Sequence, residues 1–185
     1  MSFDVPSSIL TDRLELRAPR VEDAAAVNEA ILETFDQLHR WLPWALHPPS
    51  LEETIEVCTR MAEKWSERKD FPLFGFERAS GRFVLGAGLH RWDFAVPSFE
   101  IGYWCRKTAQ GKGYVKEAVL AITKMGFEVV HANRIEIRCD AENNASAAVA
   151  RACGFELEGA LVNHRRNVHG NLNNTLIFAQ VRNDV

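Results

Sequence analysis

Within the 185-residue chain, the stretch Gln110-Gly111-Lys112-Gly113-Tyr114-Val115 combines residue types that suit binding of an anion. Its glycines let the backbone turn with N–H groups exposed and keep side chains out of a ligand's way. A helical pattern begins directly afterwards, and a helix start offers unpaired N–H donors and the positive end of its dipole. That combination suits a phosphate or pyrophosphate. The dipole contributes only about 0.3–1 kcal/mol, so several N–H bonds to charged oxygens are needed as well. Neither familiar phosphate loop is present. A P-loop requires G-x-x-x-x-G-K-[ST], but Arg106 stands at the first glycine position and Gly113 follows Lys112. A dinucleotide fingerprint requires a third glycine where this chain has Lys116, and Gly86-Ala87-Gly88 lies inside a strand pattern. A plain glycine turn joining strand to helix would read the same way, and the motif alone does not separate the two.

The elements that position this loop follow from periodicity. Residues 10–17 alternate apolar and polar, predicting one half-buried strand stopped by Pro19. Glu22-Asp23 opens an alanine-rich helix expected to reach about residue 33, and the aromatic, proline-broken segment 41–45 reads as a loop. Ser50-Leu51-Glu52-Glu53 is a capping box, starting a helix to about residue 68 with Ile55, Cys58, Met61, Ala62 and Trp65 on one face. Residues 72–79 and 82–90 predict a hairpin turning at Ser80-Gly81, and residues 98–105 a further strand. A helix over 114–130, a strand over 134–139 and a short helix capped by Asn143 and ended at Gly154 come next. Strands over 155–158 and 175–181 close the chain, giving an α/β fold with a mixed sheet of about seven strands and helices on both faces.

Composition narrows the function classes. Apolar residues make up 46% and charged residues 25%, as expected of one folded domain spanning 1–185. A net charge of −3 argues against a nucleic-acid partner. No apolar run nears the ~20 residues of a membrane helix, and residues 1–6 have no basic or hydrophobic leader pattern, so the expectation is a soluble, cytoplasmic protein without a membrane partner. Cys58, Cys105, Cys139 and Cys153 are scattered without CxxC spacing and read as core residues. His164 and His169, five apart in an expected turn with no carboxylate partner, are not a metal pattern, so no metal is expected.

The loop does not stand alone. Together with Glu100-Ile101-Gly102-Tyr103-Trp104, Asn143-Asn144-Ala145-Ser146, Cys153-Gly154-Phe155-Glu156, Glu158-Gly159 and the opening segment 10–17, it resembles the Gcn5-related N-acetyltransferase (GNAT) superfamily over nearly the whole chain. Within that superfamily the resemblance is to the branch that acetylates ribosomal-protein N-termini, the RimJ/RimL-like type. The family signature Gln/Arg-x-x-Gly-x-Gly/Ala is met at Gln110 and Gly113, while Val115 departs from it in the last place.

The resemblance implies acetyl-CoA as cosubstrate, with its pyrophosphate held by Gln110, Gly111, Lys112, Gly113, Tyr114 and Val115. It implies that the strand holding Glu100 splays from its neighbour, that the pantetheine arm lies in the gap, and that an N–H near Trp104 or Cys105 polarises the thioester carbonyl. Glu100 is then the candidate base, Ser146 the donor to the CoA sulfur, and Asn143 a cofactor contact; Asn143 as helix cap and Ser146 as a first-turn residue remain the plainer alternatives. Many members use a tyrosine as acid, but Tyr103 and Tyr114 both precede that region in sequence, which favours Ser146. Trp41, Trp44 and the prolines after them fall where this branch shapes its acceptor pocket, and a dimer is implied. The expected acceptor is a protein N-terminus, with a small amine (polyamine, amino acid or aminoglycoside) or an idle acyl-CoA sensor as alternatives.

Overall fold

The computed structural model describes residues 5–93 and 95–182, so the first four residues of the stretch read for a leader lie outside it. Eight strands form one sheet: β1 (Ser8–Leu10), β2 (Leu14–Arg17), β3 (Phe71–Glu77), β4 (Phe83–Asp93), β5 (Ser98–Cys105), β6 (Arg134–Asp140), β7 (Glu156–Arg166) and β8 (Leu172–Val181). Four helices accompany them: α1 (Ala24–Trp41), α2 (Leu51–Ser66), α3 (Tyr114–Glu128) and α4 (Asn144–Ala152). The strand order is β1-β2-β3-β4-β5-β6-β8-β7, antiparallel throughout except between β5 and β6. Among the described residues, no helix is long and apolar enough to cross a membrane.

Side-chain alternation divides the core between the two faces of the sheet. Leu73 and Leu85 pack with Ala118, Val119 and Ile122 of α3. Phe74, Phe76 and Phe83 pack with Val27, Ala30 and Ile31 of α1 and Cys58 of α2. Each such large apolar side chain contributes about 1.5–3 kcal/mol when fully buried.

Several elements depart from expectation. The single strand expected over 10–17 is a hairpin: the Leu14 N–H donates to Thr11 Oγ1, and Ile9 pairs with Leu16. Thr11-Asp12-Arg13 breaks the alternation with three polar residues in a row, and that break is the turn. The first helix runs to Trp41 because Ile31, Thr34 and Leu38 continue its buried stripe through a β-branched and aromatic stretch. On α2 the capping box is present, Ser50 Oγ accepting from the Glu53 N–H at 3.1 Å, but Thr54 is buried and Ile55 exposed. Thr54 Oγ1 accepts from Asn28 of α1 at 2.9 Å, so a polar contact sets that face. The last hairpin is far longer than expected, turning over 167–171; β7 is exposed almost throughout, so no buried face imprints alternation on its sequence. His164 therefore sits in a strand, 3.0 Å from Thr175 Oγ1, rather than in a turn.

Candidate active site

The parallel pair β5–β6 is in register only from Ser98↔Arg134 to Glu100↔Glu136. Both strands then continue separately, β5 to Cys105 and β6 to Asp140. Alternation tells which peptide groups face the opening. At one end of β5 the Pro97 carbonyl accepts from Asn133 on the β6 side; at the other the Arg106 N–H donates to Val84 on the β4 side. Odd-numbered residues thus face β6 and even-numbered ones face β4. Beyond Glu100, the peptide groups of Ile101, Tyr103 and Cys105 face the gap. Of the two positions expected to offer an N–H there, Cys105 meets the geometry. Trp104 is turned toward Gly86, its partner on β4, and its indole packs beside Phe83 and Trp44.

The far side of the gap is built by α4. Asn143 caps it, its Oδ1 accepting from the Ser146 N–H at 3.1 Å. The Tyr103 hydroxyl lies 2.9 Å from Ser146 Oγ and 3.0 Å from the Ser146 carbonyl oxygen. Burial holds the Tyr103 phenol above its ordinary pKa, so it stays protonated. Sequence order had set Tyr103 aside; only the pairing of β5 with the α4 side brings it to Ser146.

The glycine loop closes the end of the gap. Gly111 and Gly113 have φ of +73° and +80°, a conformation side-chain-bearing residues adopt at a cost. The first α3 bond is from the Glu117 N–H to the Gly113 carbonyl, and the amides of residues 111–116 donate to nothing among the described residues. The loop is clamped from two sides. From α1, Thr34 Oγ1 accepts from Lys107, Glu33 accepts from Thr108 and from Arg106, and Gln37 accepts from Gln110 Nε2. From the β1–β2 turn, Arg13 donates to the Lys112 carbonyl at 2.8 Å and pairs with Glu117. The expected loop residues therefore divide by role. Gln110 braces the loop, also donating to the Cys105 carbonyl at 3.2 Å. Tyr114 is buried with its hydroxyl on Glu77, so it offers the gap a backbone amide only, and Val115 packs on the core. The Lys112 side chain is exposed, and Cys105 and Glu77 both feel its charge.

A cleft of about 750 Å³ opens on the α1–α2 side of β4 and β5, with Glu100, Tyr103 and Trp104 in its wall. Glu100 Oε2 accepts from Arg91 at 2.8 Å and lies 3.8 Å from Arg138; Oε1 has no partner among the described residues. Trp44 and Pro49 line the cleft. Trp41 ends α1 under the Arg40 guanidinium instead. One arrangement was not legible at all: His90, a cleft residue directly opposite Glu100, holds Asp70 at 2.7 Å. Burial pushes the Cys105 thiol up to about 11, so it is not a standing thiolate nucleophile. Among the described residues, no three His, Cys, Asp or Glu side chains gather as a metal site.

Residues 13–156 match the model of the acetyltransferase (GNAT) domain family. "Putative ribosomal N-acetyltransferase YdaF" of Bacillus subtilis (strain 168) is 29% identical over 153 residues, covering 81% of each chain. The ribosomal-protein-serine acetyltransferase of Escherichia coli (strain K12) is 26% identical over 154 residues, 82% of this chain and 84% of its own. Among solved structures, RimL, a ribosomal L7/L12 alpha-N-protein acetyltransferase in complex with coenzyme A, superimposes with a TM-score of 0.86 at 22% identity, covering 96% of this chain and 97% of that one. That last likeness concerns the fold.

Proposed function

The chain belongs to the acetyltransferase (GNAT) domain family, and on that premise we propose that it transfers the acetyl group of acetyl-CoA to a primary amine, the α-amine of a protein or peptide N-terminus. The observation that carries the reading is the continuity of two donor surfaces. The inward peptide groups of Tyr103 and Cys105 lie along the opened β5 edge, and the free amides of residues 111–116 lie at its end. The first suits the amide-bearing pantetheine arm and the second the pyrophosphate. The residues present fit acetyl-CoA on the same ground: amide donors and Lys112 would face its anion.

The reaction follows by direct transfer. The lone pair of a neutral amine adds to the thioester carbonyl carbon, and the oxygen takes negative charge facing the Cys105 N–H. Collapse breaks the carbon–sulfur bond. The nitrogen gives up its proton on the cleft side, where Glu100 stands in the wall to hold it, and the departing sulfur receives a hydrogen bond from Ser146, backed by Tyr103. The protonated state of Cys105 favours this route over an acyl-cysteine intermediate.

Acceptor choice rests on protonation and charge. An α-amine with pKa about 7.7–8.0 is roughly a tenth to a fifth neutral at pH 7, against about one in a few thousand for a lysine near 10.4. The cleft carries Glu53, Glu56 and Glu100 but also Arg60 and Arg91, so it lacks the uniformly acidic wall that would favour a polyamine. The relatives named for ribosomal proteins support the same choice. Free-thiol release from acetyl-CoA, measured across N-terminal peptides, polyamines, amino acids and aminoglycosides, tests it. Turnover is expected with the peptides; turnover confined to small amines, or with none of the panel, rejects it.

A further inference from the structure

The cleft contains a second group suited to the proton step. His90 lies on β4 with Nδ1 2.7 Å from Asp70 Oδ1, at the residue just before β3. An ionised carboxylate only accepts, so in the neutral imidazole the proton sits on Nδ1 and Nε2 carries the lone pair. Nε2 has no hydrogen-bond partner among the described residues. The ring occupies a bay made by two glycines on adjacent strands. A Cβ at Gly88 would stand 2.8 Å from its Cε1 and 2.5 Å from the Phe71 carbonyl oxygen, and one at Gly102 would stand 3.2 Å from its Cδ2. His90 is thus held by a carboxylate at one nitrogen, while Nε2 lies in the space the two glycines leave on the cleft wall, 2.9 Å and 3.5 Å from where a Cβ at Gly88 and at Gly102 would stand.

Glu100 is less free. It stands directly across from His90, but one of its oxygens is taken by Arg91 and approached by Arg138. Those contacts fix its carboxylate in place, with Oε1 turned to no partner among the described residues and available to hold the incoming nitrogen. We infer that His90, oriented by Asp70, is the proton acceptor for the attacking amine, while Glu100 fixes the amine's position. The amine nitrogen forms its bond to the acetyl carbon, the carbon–sulfur bond breaks, and the nitrogen's proton passes to His90 Nε2 and then to water. Asp70 acts through His90 and is a positioning residue. The other charged groups facing this cleft are His47, Glu53, Glu56, Arg60, Arg91 and Glu100.

This assignment rests on the transferase reading above, and two measurements separate their failures. The first is the pH profile of kcat/KM with an N-terminal peptide for wild type, H90Q, D70N and E100Q, alongside acetyl-CoA affinity by calorimetry. H90Q is expected to lose roughly a hundredfold or more, the usual scale of general-base catalysis, with acetyl-CoA affinity unchanged and the fall in activity at low pH abolished. H90A should regain activity with added imidazole, and D70N should fall between H90Q and wild type. An H90Q variant within twofold of wild type, with its low-pH limb intact, overturns the assignment. The second measurement needs no turnover: imidazole 15N NMR is expected to place the neutral-state proton on Nδ1, and a proton found on Nε2 overturns the proposal. A wild-type protein that binds acetyl-CoA but acetylates no amine overturns the transferase reading, and this assignment with it; an Nδ1 proton in the same sample identifies that as the point of failure.

Discussion

The Tyr103 hydroxyl on β5 stands 2.9 Å from Ser146 Oγ on α4, joining the two sides of a gap across 43 residues of sequence. Burial keeps the phenol protonated, so the pair has protons to share with a developing anion. Removing Ser146 should therefore act on the departing thiolate. S146A is expected to lower kcat about ten- to hundredfold, matching a charge-assisted hydrogen bond of about 1.5–3 kcal/mol, with little change in acetyl-CoA affinity. Y103F should cost less, and the double variant little more than S146A alone, because Tyr103 acts through Ser146. Steady-state kinetics on the four proteins decide it. Equal additive losses would show that Tyr103 works independently.

The loop amides make a separate prediction. Gly113 has φ of +80°, and its nearest neighbour to an added Cβ is Arg13 Nη2 at 3.4 Å, so space is available and backbone strain is the main cost. G113A should lose about 1–2 kcal/mol of stability from the left-handed conformation alone. G113E adds a negative charge beside the pyrophosphate position, and calorimetry should register at least a tenfold further loss of acetyl-CoA affinity relative to G113A. Equal affinity in the two variants would place the anion elsewhere.

Cys105 provides the pH-dependent test. Its thiol is pushed up to about 11 by burial, above the ordinary value of about 8.5. At pH 8 the native thiolate fraction should thus be roughly two orders of magnitude below that of the unfolded chain, and iodoacetamide labelling should slow accordingly. Because the folded pKa is raised, the fold favours the thiol, and its contribution to stability falls as pH rises above the unfolded value. Rapid native labelling at pH 8 would contradict the burial-held thiol.

Much of this molecule is written locally, and what is written locally was legible. The strand Ser98–Cys105, the Asn143 cap and the Ser50–Glu53 capping box each depend on neighbouring residues and lie where sequence places them. The glycine turn before α3 was legible for the same reason, since its positive φ values at Gly111 and Gly113 and the helix start at Tyr114 reside in consecutive residues. What escaped depends on register between distant segments. Tyr103 meets Ser146, and His90 meets Asp70, only because particular strands are neighbours. The β7–β8 hairpin escaped for another reason: its exposed residues record pairing to each other rather than burial. Trp104 and Cys105 show how fine the limit is, one peptide turned to β4 and the next toward the gap.

The most direct measurement is an amide NMR titration of the 15N-labelled protein with coenzyme A. Binding should produce its largest shifts at the amides of residues 111–116 and at Tyr103 and Cys105, the donors that face the opened strand pair. Saturable binding that leaves those amides unmoved, or no binding at millimolar coenzyme, would contradict a cradle in which the loop holds the pyrophosphate and the splayed strand holds the arm.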